Sequence, residues 1–160
     1  IKHSRNKMSI RDEITNKLKE AMIRKDGDLL NTLRLIKASI KEKDIIAKGN
    51  GKIDISDQEI ISVLQSMIKQ RKVSVDMYLN GKRDDLAKKE ENEIKIISKF
   101  LPEQLSVKEI EIIINETIIS SSANSLRDTG KIINLMKEKY DGKIDFGVAS
   151  KMIKEKLSQI

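Results

Sequence analysis

The sequence predicts an all-α protein, with an N-terminal helical unit of about four helices followed by a C-terminal unit of three. Three observations carry that expectation. Apolar residues recur at spacings of three and four, not two, through most of the 160 residues. A serine followed three residues later by Asp or Glu, a pair able to satisfy the orphan amides of a helix start, occurs at Ser9, Ser56, Ser106 and Ser125. Asp26-Gly27, Gly49-Asn50-Gly51, Asn80-Gly81, Pro102 and Asp141-Gly142 separate the periodic stretches, where turn chemistry is needed.

Taken in order, Ser9 with Asp12 opens a first helix carrying Ile10, Ile14, Leu18, Ala21 and Met22 on one side, closed by Asp26-Gly27. Asp28 is placed to cap a second. Its apolar stripe is Leu29, Leu33, Ile36 and Ile40, and Arg34, Lys37, Lys41 and Lys48 form a neighbouring basic one. Ser56 and Glu59 start a third helix bearing Ile60, Leu64, Met67, Ile68, Arg71, Val75 and Tyr78 on one face. A fourth begins near Asp84-Asp85, where the helix dipole favours acids, and turns Leu86, Ile94, Ile97 and Phe100 toward the others.

Pro102 fixes its own φ, donates no amide and drives residue 101 away from the α region, so the fourth helix should end at Leu101. Residues 8–101 and 102–160 are then the two expected domains. Ser106 and Glu109 cap a fifth helix, despite the β-branched run Ile110 to Ile119, because no partner strand is evident and isoleucine is abundant throughout. Residues 120–124 read as a loop. Ser125 with Asp128 caps a sixth helix carrying Ile132, Ile133, Leu135 and Met136, and Asp145 caps a last one with Val148, Met152, Ile153 and Leu157 inward. Residues 1–7 are basic and acid-free; they are expected to be a disordered tail, either the remnant of an organellar leader or a cloning boundary.

Composition excludes much chemistry. The chain has no cysteine and one histidine, His3 in that tail, so thiolate, disulfide and histidine-based catalysis or metal binding are not expected, nor is a cofactor. No apolar run reaches the ~20 residues of a membrane span, so a soluble protein is expected. The net charge of +7 is unevenly placed. Up to Pro102 there are 23 basic against 16 acidic residues, and from Glu103 onward 9 of each. Such an excess favours an anionic partner, although many lysine-rich proteins carry as much. Only four aromatics are present, Tyr78, Phe100, Tyr140 and Phe146, too few for base-stacking platforms, so any RNA would be recognised when folded, through shape and backbone.

Leu33 to Lys41, Gly81 to Ser106 and Asp128 to Ile132 together resemble the GatB/YqeY family, over residues 8–160. That resemblance implies an all-helical protein similar to the tail of the B subunit of the glutamine-dependent tRNA amidotransferase, where the module holds tRNA and catalysis lies elsewhere. The implied partner is tRNA, not DNA and not a membrane; the compartment is expected to be the cytoplasm, or an organellar lumen if residues 1–7 are a leader remnant. A protein partner in tRNA-dependent amidation or translation is the alternative. A carbon–nitrogen ligase activity with glutamine as amido donor follows from the family association alone.

By the same resemblance Gly130 and Lys131 match the family's glycine-lysine near a helix start, flanked by Lys137 and Lys143, while Asp145-Phe146-Gly147 stands where the family often has Asp-Gly-Lys. Free amides and a lysine at a helix start suit a phosphate, and Arg127 and Lys151 extend the basic face. A packing glycine and a solvated lysine face explain the same residues. Arg34, Lys37 and Lys41, at i, i+3 and i+7 on the second helix, form a further basic stripe suited to phosphates or to solubility. Arg71, on an apolar face, is expected to pair with Glu90, Glu91 or Glu93. The acidic run from Asp84 to Glu93 is better explained by capping and lysine pairing than by a metal, and the serines at 120–122 lack an activating base.

Overall fold

The computed structural model describes residues 8–160, so the expectations placed on the N-terminal tail and His3 lie outside the described residues. Those residues contain seven α-helices and a single 3-10 turn, with no strand: α1 Ile10–Arg24, α2 Gly27–Gly49, α3 Asp57–Asn80, α4 Asp84–Ser98, α5 Val107–Ser121, the turn Leu126–Asp128, α6 Thr129–Tyr140 and α7 Phe146–Ser158. The all-α expectation holds. Contacts divide the chain into two compact units, one reaching Leu101 and the other beginning at Pro102.

In the first unit the apolar stripes of α1 to α4 converge on a core of Ile14, Ala21, Leu33, Ile36, Ile40, Ile60, Leu64, Met67, Ile97 and Phe100. Met22, expected inward, is 55% exposed, because it lies past the arc of α1 that Ile14 and Ala21 bury. Ser9 caps α1 by accepting from the Asp12 amide at 3.1 Å. The link to α2 differs from the expectation. Lys25, not Gly27, adopts the left-handed conformation at φ 57°, and Asp26, not Asp28, accepts from the Leu29 amide as the cap of α2. The Asp26 amide returns to the Ala21 carbonyl, so the helix end is closed by backbone bonds that tolerate lysine.

Ser56 and Glu59 form the expected capping box at the start of α3. At its far end Gly81 has φ −85° and Lys82 takes the left-handed position at φ 58°. Helices α3 and α4 then pair extensively as an antiparallel hairpin. Arg71 lies in that hairpin, 2.8 Å from Glu93 and 4.0 Å from Glu90, as its place on an apolar face implied. Helix α4 stops at Ser98, earlier than Leu101, because the last amides before Pro102 tighten to three-residue bonds, Phe100 to Ile97 and Leu101 to Ser98.

The second unit has its own core of Ile110, Ile114, Ile132, Met136, Ile144, Ala149, Ile153 and Leu157. The isoleucine-rich α5 is helical, with the Ser106–Glu109 capping box in place. It continues through Ser120 and Ser121, which were expected in a loop, and ends at Ser122 with φ 59°. Ser125 and Asp128 initiate the 3-10 turn, not α6 itself, with the Asp128 carboxylate accepting from the Asn124 and Ser125 amides. Asp145 caps α7 through the Gly147 amide. Val148 is 39% exposed, since Ala149, one residue on, takes the core position.

Asp44 of α2 is the one charged side chain classed as buried among the described residues, at 9% exposure. Arg11 of α1 donates to both of its oxygens, at 2.8 and 3.0 Å, and the Ile55 amide adds a third bond at 3.0 Å. Arg11 also reaches the Ile55 carbonyl at 3.3 Å. Asp44→Asn removes the charge opposite a guanidinium that keeps some access to water, and should destabilise the protein by about 2 kcal/mol. The Arg11 hydrogen bond, first among the causes, holds the Asp44 carboxyl below its usual value of 3.8. A pKa lowered in the folded state gives stability that is present above the unfolded value and lost as pH falls through the folded one. Chemical denaturation from pH 6 to pH 2 should therefore show an acid loss below about pH 4 that is smaller in Asp44→Asn.

Candidate nucleic-acid interface

The C-terminal cations expected to face RNA do not converge on one point. Gly130 and Lys131 lie in the first turn of α6, directly after the 3-10 turn, whose continuation engages the Thr129 amide with the Leu126 carbonyl. Hydrogen bonds from the Asn124 and then the Ser125 amide, helped by Lys131 and Arg127, hold the Asp128 carboxyl below its ordinary range. That carboxylate is turned back to the amides before the 3-10 turn, makes no capping bond to α6, and adds a negative charge beside the start of the helix. The Lys131 ammonium donates to the Ser121 carbonyl at 3.2 Å, closing the C-terminal end of α5 where the dipole favours a cation.

Lys137 projects from α6 over the ring of Phe146, 5.5 Å from its centroid. Phe146 thus serves as a partner for a neighbouring cation. Lys143 is exposed, and its carbonyl accepts from the Leu105 amide at 2.9 Å, anchoring the turn between α6 and α7. Arg127 and Lys151 are exposed on the 3-10 turn and α7.

Arg34, Lys37 and Lys41 form a more continuous arrangement. All three are exposed on α2, and among the described residues none forms an ion pair or hydrogen bond with an acid. Lys48, further along, is 3.7 Å from Asp54. Like charges at i,i+3 and i,i+4 repel by a few tenths of a kcal/mol per pair, a cost that a polyanion removes. Beside this stripe α1 and α2 enclose a cleft of about 330 Å³ lined by Arg11, Ile14, Thr15, Lys37, Ala38, Ile40, Lys41 and Asp44. Arg11, Thr15 and Asp44 were not singled out from the sequence. The available signal was Asp44 itself, an acid in register with the apolar stripe of Ile36 and Ile40, which requires a basic partner from another helix.

Aromatic side chains offer no platform here: Phe100 is buried, and Tyr78, Tyr140 and Phe146 are half-buried. No group of three or more His, Asp or Glu suited to a metal occurs among the described residues, and no described helix is long and apolar enough to cross a membrane.

Comparison with known proteins places this architecture. The model of the family described as Yqey-like protein matches residues 11–157. The chain belongs to the YqeY-like family. It is 32% identical over 142 residues to "Altered inheritance of mitochondria protein 41, mitochondrial" of Lachancea thermotolerans, covering 86% of this chain and 73% of that protein. The like-named protein of Vanderwaltozyma polyspora is 33% identical over 143 residues, covering 89% and 73%. The Saccharomyces cerevisiae protein of that name is 38% identical over 95 residues, covering 59% and 50%.

Gly130 has no role in this YqeY-like chain that its surroundings require. A Cβ there would meet nothing within 4 Å, and the residue lies in a regular first turn. Gly130→Ala should raise stability by about 0.5–1 kcal/mol, read from the midpoint of urea denaturation. An unchanged or lowered midpoint would mean that the bare backbone at this position is needed by the fold.

Proposed function

We propose that this YqeY-like protein is an accessory tRNA-binding module, related to the tRNA-docking tail of the amidotransferase B subunit, which acts by docking and not by chemistry of its own. The observation that carries the reading is the unpaired Arg34–Lys37–Lys41 stripe on α2, in the unit that together with the tail before it holds the basic excess of the chain. A 23-residue helix fixed on its other faces by a packed core is a stiff support for three cations. Stiffness lowers the ordering cost of binding phosphates at set positions. The aromatic side chains, buried or half-buried, favour recognition of folded RNA through its backbone over stacking on unpaired bases. The C-terminal cations Arg127, Lys137, Lys143 and Lys151 would add long-range attraction, with Lys131 contributing least because of its bond to Ser121. The names of the relatives suggest an organellar setting.

A second reading has its own support. Val73 and Met77, one turn apart on α3, are 56% and 67% exposed and form a small apolar patch suited to a protein partner in tRNA-dependent amidation or translation. Recovery of one stoichiometric protein partner, without RNA, would favour it.

Gel-shift titration against total tRNA at two or more salt concentrations tests the first reading. Saturable binding should weaken with salt, and Arg34→Glu, Lys37→Glu and Lys41→Glu combined should reduce affinity by at least about tenfold and flatten the salt slope by about 3. Lys131→Glu should change the affinity by less than about threefold. Salt-independent binding, or none, would remove the proposal; a large loss confined to Lys131→Glu would move the interface to the C-terminal unit.

A further inference from the structure

The cleft between α1 and α2 is distinct in kind from the open stripe beside it. Its volume of about 330 Å³ is at the small end of the ~300–1,000 Å³ of ligand pockets, too small for a duplex but comparable with one nucleotide. Its floor is aliphatic, with Ala38 exposed and Ile14 and Ile40 almost fully buried beneath it, and Lys37 and Lys41 both line it from α2. The one carboxylate in the lining, Asp44, accepts two bonds from Arg11 and one from the Ile55 amide, so it is neutralised and fixed. The Thr15 hydroxyl donates to the Arg11 carbonyl at 3.0 Å. What remains uncompensated is a pair of ammonium groups above an apolar floor.

The larger groove of about 690 Å³ between α2 and α3 lacks this asymmetry. Glu42 and Glu59 line it together with Lys43 and Lys52, and opposite charges in equal number give a phosphate no preference for it.

We propose that the α1–α2 cleft binds a single phosphate-bearing nucleotide unit, with the phosphate held by Lys37 and Lys41 and the less polar part seated against Ile14, Ala38 and Ile40. Two sources share this chemistry, a free nucleotide and a phosphorylated RNA end. In the second case the cleft adds an end-specific contact to the docking surface, and that arm rests on the tRNA reading. In the first it stands alone. The Arg11–Asp44 pair is a positioning element here, because it fixes α1 against α2 and keeps the acid from competing with the ligand.

Backbone-amide NMR of the whole protein with AMP, adenosine and inorganic phosphate as separate probes tests the proposal. AMP should shift the amides of Thr15, Lys37, Ala38 and Lys41 in a saturable way, and adenosine or phosphate alone should need at least about tenfold higher concentration. Lys37→Glu with Lys41→Glu should abolish these shifts; both residues are exposed, and an unchanged helical circular dichroism spectrum verifies the fold. Ala38→Leu fills the cleft while retaining the stripe, and should remove AMP binding; tRNA affinity should stay within about twofold if the ligand is a free nucleotide and fall by more than that if it is an RNA end. No shift at these four amides with AMP at about 10 mM, or shifts no larger than those from inorganic phosphate, would overturn the proposal. AMP shifts without tRNA binding would sink the docking reading and leave the cleft standing; tRNA binding without AMP shifts would do the reverse. Stronger competition with AMP by 5′-phosphorylated than by dephosphorylated tRNA would identify an RNA end, and equal competition by the two, or none, with AMP bound, a free nucleotide.

Discussion

Asp44 occupies a position on α2 where the stripe of Leu33, Ile36 and Ile40 calls for an apolar side chain, and burying its charge constrains most of what surrounds it. An ionised carboxylate away from water costs several kcal/mol unless its oxygens are bonded and its charge matched. Arg11 supplies the match from α1 and the Ile55 amide supplies a further bond from the segment leading into α3. One side chain therefore ties two helices and the start of a third. Hydrophobic contacts between α1 and α2 tolerate sliding, whereas a bidentate guanidinium–carboxylate pair has a single good geometry. The register of α1 on α2, and with it the shape of the cleft lined by Thr15, Lys37 and Lys41, follows from that pair.

Helix starts were legible because their chemistry is local. Ser9, Ser56, Ser106 and Asp145 each satisfy an amide two or three residues on, and these positions read directly from spacing. Helix ends were less legible. Lys25 and Lys82 hold left-handed conformations beside the glycines that the sequence pointed to, and Ser122 does so where a loop without glycine was expected. The backbone bonds that close a helix make no demand on side-chain type beyond a strain of roughly 1 kcal/mol, and a well-packed unit absorbs it. For the same reason Asp26 served as a cap when Asp28 was expected: the two differ only in which peptide turns out of the helix. The isoleucine-rich α5 was legible against its propensity, since its apolar period and its capping box agree with each other and no strand was available to pair with it.

The candidate site was legible in part. A basic stripe on one helix needs only the helical period, so Arg34, Lys37 and Lys41 could be grouped from sequence. Arg11 is 33 residues from Asp44, and no local pattern joins them. Gly130 and Lys131 illustrate the opposite difficulty. A glycine-lysine pair at a helix start looks like an anion site wherever the start is free, but here the 3-10 turn engages the Thr129 amide first and leaves the Asp128 carboxylate, bonded to the Asn124 and Ser125 amides, as a negative charge beside that start. Whether a helix N-terminus is open depends on the turn before it, which Ser125 and Asp128 also determine without advertising it as a 3-10 element.

The distribution of charge then separates the two units by role. From Glu103 onward cations and anions balance, and several of the cations there have internal partners: Lys131 the Ser121 carbonyl, Lys137 the Phe146 ring, Lys156 the Glu111 carboxylate. A cation already engaged must give up that partner before it can serve a phosphate, so its net contribution to binding shrinks toward the difference between two interactions. Arg34, Lys37 and Lys41 have nothing to give up and lose mutual repulsion when an anion arrives. Equal numbers of cations thus carry unequal binding capacity. On that argument the uncompensated cations of α2 would contribute more to an anionic contact than the C-terminal cations, whose unit carries a separate core and a charge-balanced surface.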